Sequence, residues 1–349
     1  MDSLWDYPDF DAHELVHFVT DHASGLRAIV AVHSRHLGPA AGGTRFWHYA
    51  ETGEAVADAL RLSRGMSFKN AMAGLPLGGG KAVILADAAR TKTPAMLAAY
   101  GKAIEGLGGA YITAEDVGIS VGDLVEVAKA TRYISGLPVA SGRAGGDPGP
   151  FTSYGVFLGV KAAVKRKLGK DSLSGLHIAI QGAGSVASGL ARQAAAEGAK
   201  LTIADVDRAK AEALAAETGG RTIAPDAIMT VEADVLSPCA LGAILTPESI
   251  AALRVPVVAG GANNQLATQA EGDLLRDRDI LYAPDYVINA GGIINVGMEY
   301  LGLGDEAQVR ARIEQIPGRL ETIWDESTAT GRNAADVADA MAQKLIGRG

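Results

Sequence analysis

The chain has 349 residues, which exceeds the size at which one hydrophobic core keeps growing, so two domains are expected. Apolar residues make up 48% and charged residues 21%, and the net charge of -8 argues against a surface for nucleic acid or for anionic membranes. The single cysteine, Cys239, excludes an internal disulfide, and no apolar run is long enough to span a membrane. A cytoplasmic protein is therefore expected.

The first part of the chain alternates short apolar strands with helices. Strands are predicted at 26–34, 81–87 and 110–116. Apolar residues at helical spacing predict a helix around 55–66, and Pro94 is a favoured first-turn residue for a second helix. The stretch "SGRAGGDPGPFTSYG" (141–155) is rich in Gly, Pro, Ser and Asp, so it is predicted to be a linker.

The second part of the chain has a different sequence pattern, in which short apolar runs repeatedly end in Gly, Pro, Asn or Asp. Helical stretches such as "SVASGLARQAAAEG" lie between some of these runs. This order of strand, turn, helix and strand is typical of a doubly wound parallel sheet, in which ligands bind at the carboxyl ends of the strands. Apolar residues then keep helical spacing from Val309 to Ile323, and Pro317 is expected to kink that helix.

These patterns predict an α/β fold with two domains. An N-terminal α/β domain is placed at 1–140, and a Rossmann-type domain with a doubly wound parallel sheet is placed at 141–325. The remaining residues, 326–349, are expected to form a C-terminal helix that packs back toward the first domain.

The segment "HIAIQGAGSVASGLA" carries Gly182, Gly184 and Ala187 as G-x-G-x-x-A between a predicted strand and a predicted helix. In this motif the first glycine makes a tight turn, the second lets the backbone approach a pyrophosphate, and the small third residue lets the helix pack on the strand. The phosphates then lie at the helix N-terminus. Asp205 ends the next strand, where a carboxylate binds a ribose 2′-hydroxyl and repels a 2′-phosphate, and Val206 supplies no cation. NAD is therefore predicted rather than NADP.

Three glycines precede Lys81 in "GLPLGGGKAVIL", but this segment does not match a phosphate-binding P-loop. That loop requires glycine where Leu75 stands and Ser or Thr where Ala82 stands. The lysine of a P-loop also lies at the start of a helix, whereas Lys81 begins a predicted strand. Oxidation of an amino acid requires a cation for the carboxylate, an amine of lowered pKa and a carboxylate for proton transfer. Lys69, Lys81 and Asp116 are the right residue types, although spacing alone does not establish that they converge.

Six segments closely resemble the leucine and phenylalanine dehydrogenases of the glutamate dehydrogenase superfamily. They are "LGPAAGGTRFWHY", "DALRLSRGMSFKNAMAGLPLGGGKAVI", "YITAEDVG", "PCALGAIL", "GGANNQL" and "YAPDYVINAGGIINV". The resemblance implies NAD-dependent, reversible oxidative deamination of an apolar L-amino acid to the 2-oxo acid and ammonia. It also implies a substrate domain followed by a cofactor domain, a closing cleft between them, and a homo-oligomer formed through the first domain.

The resemblance further implies roles for single residues. Lys69 is expected to hold the substrate carboxylate with help from Asn289, Lys81 to activate water, and Asp116 to exchange protons with the amine. The backbone around Gly42 and Gly43 is expected to line the substrate, and glycine beside Lys81 to leave room for it. Residues expected around the substrate side chain are Ala41, Ala114, Ile293 and Val296.

The residues that the motif and the resemblance together assign to the cofactor lie in the second domain. They are Gly182, Gly184, Ser185, Val186, Asp205, Thr152, Pro238, Cys239, Ala240, Asn263 and Asn289. Thr152 and Asn263 are expected to face the nicotinamide, whereas 238–240 are expected on the adenine side.

The choice of amino acid depends on a few positions. Ala41 stands where glutamate-specific members have a lysine and Val296 where they have a serine, so a charged side chain would be buried without partners. Alanine at position 41 enlarges the pocket as in phenylalanine-type members, whereas Ala114, Ile293 and Val296 resemble the leucine type. One or two methylenes change such a preference by only about 1–3 kcal/mol. A branched-chain substrate such as leucine is favoured, and phenylalanine is the alternative.

Other interpretations have less support. His33 and His36 lack a nearby Cys or carboxylate cluster, so no metal site is expected. Cys239 has no basic neighbour and is expected to pack beside the cofactor rather than act as a nucleophile. A 2-hydroxy-acid dehydrogenase usually needs a His–acid pair with an arginine, and no such trio stands out. A non-catalytic NAD-binding protein is disfavoured because Lys69, Lys81 and Asp116 are all present.

Overall fold

The computed structural model describes residues 3–138 and 142–348, and the chain forms two compact units. Unit 1 comprises Met1–Gly146, Ile293–Glu306 and Ala342–Gly349, and unit 2 comprises Asp147–Gly292 and Ala307–Met341. The chain therefore changes unit four times, unlike the predicted division into continuous domains at 140 and 325. Segment 293–306 stays with unit 1 because Asn295 and Glu299 hydrogen-bond backbone groups of 136–145.

Unit 1 is built on a five-stranded mixed sheet in the order β1-β2-β4-β3-β5. Its strands are β1 (Leu15–Asp21), β2 (Leu26–Ser34), β3 (Ala40–Trp47), β4 (Gly78–Leu85) and β5 (Tyr111–Ala114). β1 and β4 run antiparallel to β2, whereas β3 runs parallel to both of its neighbours, β4 and β5. Strand β4 begins at Gly78, three residues before the predicted start at Lys81. The prediction missed these three residues because glycine has a low strand propensity, so a run of glycines gives no strand signal.

Helices cover both faces of this sheet. They are α1 (Thr52–Met72), α2 (Pro94–Gly106) and α3 (Val121–Ala128). Alternate residues of β2 point to opposite faces, so Ile29 packs in the cluster with α1 while Val30 packs in the cluster with α2. Burial on both faces explains why β2 and β4 read as continuous apolar runs rather than alternating ones.

Unit 2 contains a six-stranded parallel sheet in the order β11-β10-β9-β6-β7-β8. Its strands are β6 (His177–Gln181), β7 (Lys200–Ala204), β8 (Arg221–Thr222), β9 (Val235–Pro238), β10 (Val257–Val258) and β11 (Leu281–Tyr282). The chain winds outward from β6 to β8 and then returns to β9 on the other side of β6. This confirms the predicted doubly wound sheet, whose ligand crevice lies where the strand order reverses.

The remaining helices belong to unit 2 or to the segments where the chain changes unit. They are α4 (Gly149–Leu168), α5 (Ser185–Ala196), α6 (Arg208–Thr218), α7 (Pro247–Ala252), α8 (Glu271–Asp277), α9 (Asp285–Ile288), α10 (Gly291–Tyr300), α11 (Glu306–Ile313), α12 (Ile316–Thr330) and α13 (Ala334–Leu345). Short 3-10 helices occupy Leu4–Asp6 and Pro225–Thr230. Within 3–138 and 142–348, no helix combines the length and apolar character needed to cross a bilayer.

The structure corrects two predictions at segments that contain proline. The chain changes unit between Gly146 and Asp147, inside the predicted linker, but residues 149–155 form the first turns of α4, with Pro148 at the N-cap and Pro150 in the first turn. The expected kinked helix around Pro317 is two helices, because α11 ends at Ile313 and Pro317 lies in the first turn of α12. Proline is compatible with a first turn since its missing N–H has no partner inside the helix there.

Candidate functional site

Unit 1 brings Lys81 and Asp116 into direct contact. Lys81 lies on β4, Asp116 follows β5, and Nζ of Lys81 is 2.7 Å from Oδ2 of Asp116. Lys81 is buried, with only 6% of the residue exposed, and Asp116 is partly buried, with 23% of its side chain exposed. Burial would raise the pKa of Asp116, but the Lys81 ammonium and the Arg45 guanidinium outweigh it and hold that pKa below its usual value. Asp116 is therefore ionised at neutral pH, and an ionised carboxylate can accept a proton.

Arg45 makes a second contact to the same carboxylate. Its Nε donates to Oδ2 of Asp116 at 3.3 Å, and its NH1 donates to Oδ2 of Asp58 at 2.7 Å. Asp58, on α1, also accepts from the Tyr49 hydroxyl at 2.6 Å and from NH2 of Arg61 at 2.8 Å. Sequence reasoning missed these residues, because nothing in their spacing relates Arg45 to Asp116.

The predicted substrate-lining glycines lie against this pair. A Cβ at Gly43 would be 2.8 Å from Cβ of Asp116, and a Cβ at Gly42 would overlap the carbonyl oxygen of Gly80. The Tyr111 hydroxyl donates to the Gly42 carbonyl oxygen at 2.6 Å and fixes this backbone. Tyr111 is a buried positioning residue that the sequence did not identify.

The glycines before Lys81 are required for packing, which contradicts the expectation that they leave room for substrate. A Cβ at Gly80 would lie 2.6 Å from the Tyr111 ring. A Cβ at Gly79 would overlap the backbone nitrogen of Ser67 on α1, and one at Gly78 would overlap the carbonyl oxygen of Ser34. Protein atoms thus fill the space that a side chain would take.

Replacing Gly79 with alanine is expected to lower the free energy of unfolding by about 3 kcal/mol, because α1 must move away from β4. Gly65→Ala is the matched control, since Gly65 lies on the same helix with no atom within 4 Å of an added Cβ. That control is expected to gain about 0.5–1 kcal/mol, because alanine favours the helix. Urea unfolding measures both, and equal effects would contradict this account of the glycines.

The other predicted substrate residues of unit 1 occupy four elements. Lys69 lies on α1, and its neighbour Asn70 donates through Nδ2 to the carbonyl oxygens of Gly78, at 2.6 Å, and Ala41, at 3.4 Å. Asn70 thereby ties α1 to β3 and β4 beside Lys69. Ala41 lies on β3, Ala114 ends β5, and Ile293 and Val296 lie on α10. Ile293 and Val296 are three residues apart and both partly exposed, so they share one face of α10.

In unit 2 the glycine-rich turn has the geometry of a dinucleotide site. Gly182 has a φ of 106°, a region that favours glycine, and a Cβ there would lie 3.0 Å from Cβ of Ala240. Gly184 caps α5, and a Cβ on it would enter open space. Helix α5 begins at Ser185, and within the part of the chain that the structure describes its N-cap, Gly184, makes no side-chain capping bond. Its backbone N–H groups are therefore available to a pyrophosphate.

Asp205 is fixed beside this turn. Its Oδ2 accepts from the Ala183 N–H at 2.7 Å, and its Oδ1 accepts from the Asp207 N–H at 2.8 Å. A carboxylate has further lone pairs, so these bonds orient Asp205 and still allow it to accept from a ribose hydroxyl. Val206 is 87% exposed and adds no cation at the end of β7.

The segment after β9 packs against the start of α5. Pro238 ends β9, and the Cys239 N–H donates to the carbonyl oxygen of Gln181 at 2.8 Å. A Cβ at Gly261 would lie 2.7 Å from Cγ1 of Val186 and 3.7 Å from Sγ of Cys239. Burial raises the pKa of the Cys239 thiol, which disfavours the thiolate and hence a nucleophilic role.

Asn263 and Asn289 are hydrogen-bonded to each other. Nδ2 of Asn289 donates to Oδ1 of Asn263 at 2.7 Å and to the Gly261 carbonyl oxygen at 3.1 Å. Oδ1 of Asn289 is buried and has no hydrogen-bond partner among the described residues, so a ligand that donates an N–H or O–H would satisfy it. Thr152, on α4, donates through its hydroxyl to the Pro148 carbonyl oxygen at 2.9 Å. The open helix N-terminus, the fixed Asp205 and this orphan acceptor all fit NAD.

Comparisons with known proteins indicate the same family for both parts of the chain. The model described as "Glu/Leu/Phe/Val dehydrogenase, dimerisation domain" matches residues 13–133, and that described as "Glutamate/Leucine/Phenylalanine/Valine dehydrogenase" matches 202–346. The chain is 46% identical to the leucine dehydrogenase of Thermoactinomyces intermedius, covering 98% of this chain and 93% of that protein. It is 43% identical to the valine dehydrogenase of Streptomyces albus, covering 97% and 94%. The solved structure of L-tryptophan dehydrogenase from Nostoc punctiforme superposes with a TM-score of 0.84 at 39% identity, covering 96% of each chain.

Proposed function

Because this chain belongs to the glutamate/leucine/phenylalanine/valine dehydrogenase family and is an amino acid dehydrogenase, we propose that it oxidises a branched-chain L-amino acid such as leucine. The products are the 2-oxo acid, ammonia and NADH. The observation that carries the proposal is the buried contact between Lys81 and Asp116. An amine and a carboxylate in contact are the groups that the proton transfers of this reaction require.

The reaction consumes the amino acid, NAD and water, and it releases the 2-oxo acid, ammonium, NADH and a proton. NAD supplies the acceptor for the hydride that leaves the α-carbon. We assign proton exchange with the substrate nitrogen to Asp116, and removal of a proton from the attacking water to Lys81. Lys69 binds the substrate carboxylate as a cation. These roles follow from the family motifs, and the contacts around Asp116 and Lys81 support them.

A branched aliphatic side chain is favoured by the residues proposed around it. Ala41, Ala114, Ile293 and Val296 offer no group that could pair with a carboxylate, so binding glutamate would bury a charge without a partner. Leucine dehydrogenases are among the curated relatives at 43–46% identity. Phenylalanine is the second candidate, because alanine at position 41 leaves more room than leucine would.

Unit 2 is proposed to hold the cofactor through residues at the carboxyl ends of its strands. Gly182, Gly184 and Ser185 receive the pyrophosphate, and Asp205 receives the adenosine ribose. Val186 and the segment 238–240 contact the adenosine half. Thr152, Asn263 and Asn289 contact the nicotinamide half, supported by the orphan oxygen of Asn289.

The setting of the enzyme is also part of the proposal. A homo-oligomer formed through unit 1 is supported by the dimerisation-domain model, whose match at 13–133 lies within that unit. A cytoplasmic location is supported by the single cysteine, Cys239, which indicates a reducing compartment.

A substrate panel tests the function. With NAD at alkaline pH, we expect kcat/KM for L-leucine to exceed that for L-glutamate at least about a hundredfold, because a buried unpaired carboxylate is costly. The panel also contains L-valine, L-phenylalanine and L-tryptophan, with D-leucine as the stereochemical control, and NADH absorbance is the readout. Preference for glutamate, or equal turnover of D- and L-leucine, would contradict the assignment.

A further inference from the structure

We propose that Arg45, anchored by Asp58, is a positioning residue for the reaction: it holds the carboxylate of Asp116 against Lys81 and balances its charge. The inference deepens the proposed function, because it rests on the roles given there to Asp116 and Lys81. Neither the family motifs nor the local spacing assigns a role to Asp58.

The sheet topology places the strand that carries Arg45 between β4 and β5. Lys81 lies on β4 and Asp116 follows β5, and β3 is the strand that pairs with both. Arg45, on β3, is registered opposite Val83 of β4, while Gly43 is registered opposite Ala114 of β5. A long side chain from β3 therefore reaches the carboxylate that follows β5.

One guanidinium bridges two carboxylates. Nε of Arg45 contacts Oδ2 of Asp116, and NH1 contacts Oδ2 of Asp58. Asp58 is 11% exposed in its side chain and is itself held by Tyr49 and Arg61, so it anchors Arg45 to α1. Lys81 and Arg45 both act on Oδ2 of Asp116, which fixes the rotation of that carboxylate. A planar fork suits this bridge, whereas the single ammonium of lysine does not.

The charges that face Asp116 come from every element around it. Lys81 on β4 and Arg45 on β3 are cationic, Glu115 precedes Asp116 in the chain, and the Tyr111 phenol on β5 is kept neutral by burial, which raises its pKa. Asp58 on α1 partly balances Arg45. Without Arg45, the negative charge of Asp116 is balanced by Lys81 alone. The Asp116 carboxylate has then lost one of the cations that lower its pKa, so it takes up a proton at higher pH.

The test compares Arg45→Gln, Arg45→Lys and Asp58→Asn through the pH profile of kcat/KM for leucine and NAD. In R45Q the low-pH side of the kcat/KM profile is expected to move to higher pH. At a fixed pH on that side kcat/KM is expected to fall about tenfold, whereas on the alkaline plateau it is expected to fall less than threefold. R45K and D58N are expected to give smaller shifts, because each keeps a cation near Asp116. Added guanidinium ion is expected to restore part of the activity of Arg45→Ala.

Arg35→Gln is the matched control. It removes an arginine–carboxylate pair of similar length, Nε of Arg35 to Oε2 of Glu14 at 2.8 Å, from the half-exposed surface of the same unit. The pH profile of this control is expected to match that of the wild type.

A readout without turnover separates this inference from the proposed function. The Asp116 carboxyl carbon, assigned by comparison with Asp116→Asn, is followed by NMR during a pH titration. It is expected to titrate at higher pH in R45Q than in the wild type. Titration at the same pH in both proteins, or a loss of kcat/KM equal at all pH values and not rescued by guanidinium, would overturn the proposal. Absence of wild-type turnover on every amino acid, with the NMR difference present, would overturn the proposed function alone.

Discussion

Replacing Lys81 with methionine is expected to lower kcat about a thousandfold while the protein remains folded. Methionine has a similar length and fills the buried position on β4, but it cannot take a proton from water, and groups in this role contribute about 10²–10⁴-fold. The measurement is steady-state turnover of leucine with NAD, together with circular dichroism to verify folding. Lys129→Met is the control, because Lys129 is exposed and pairs only with Glu126 among the described ion pairs.

The same substitution has a consequence for stability. The lowered pKa of Asp116 stabilises the folded state at pH values above the ordinary pKa of an aspartate, and this contribution is lost as the pH falls through the lowered value. Lys81 is the strongest of the groups that lower this pKa, so K81M weakens the contribution at neutral pH. The double variant K81M/D116N removes the buried charge and is expected to recover stability without recovering turnover. Recovery of turnover, or near-normal kcat in K81M, would refute the catalytic role.

The candidate cofactor site in unit 2 and the contact between Lys81 and Asp116 in unit 1 differ in how much of each could be predicted from the sequence. Gly182, Gly184 and Asp205 lie within one strand–helix–strand segment, and the hydrogen bond from Ala183 to Asp205 links the two ends of that segment. Their geometry follows from local order, since the turn, the helix and the next strand are consecutive. A motif of this kind can therefore be recognised from spacing alone.

The contact between Lys81 and Asp116 depends on tertiary topology instead. The sheet order places β3 between β4 and β5, although β3 precedes both in the chain. Spacing along the sequence carries no information about this insertion, and neither Arg45 nor Asp58 could be related to Asp116 without it. Family resemblance identified Lys81 and Asp116, whereas the residues that hold them were identified only from the folded sheet.

The run of glycines before Lys81 illustrates a second limit. A glycine marks a position where a side chain does not fit, but the sequence does not say whether ligand or protein takes the space. Around Gly79 and Gly80 the neighbours are Ser67 and Tyr111. The glycines thus determine where Lys81 lies, because they let α1 pack closely on β4 and let the Tyr111 ring lie against Gly80.

Replacing Asp205 with asparagine is expected to raise the ratio of kcat/KM for NADP to that for NAD about 10–100-fold. Asparagine keeps the shape of the side chain and one carbonyl oxygen, but it removes the negative charge that repels a 2′-phosphate. Such a change corresponds to about 1.4–2.8 kcal/mol, which is within the cost of placing like charges together. KM for NAD is expected to rise as well, because the ribose hydroxyl loses a charged acceptor.

Asp207→Asn distinguishes a contact at Asp205 from a general effect of negative charge at this edge of the sheet. Asp207 lies two residues later and caps α6 by accepting from the Lys210 N–H at 3.3 Å, which asparagine also does well. For D207N we expect the ratio of kcat/KM for NADP to that for NAD to stay within about threefold of the wild-type ratio. Asp207 does not make the hydrogen bond to Ala183 that fixes Asp205 beside the glycine-rich turn. Adding Val206→Arg to D205N places a cation at an exposed position and should raise the ratio further. If D205N and D207N shift the ratio equally, the preference for NAD comes from the summed field at the end of β7, and Asp205 is not its specific determinant.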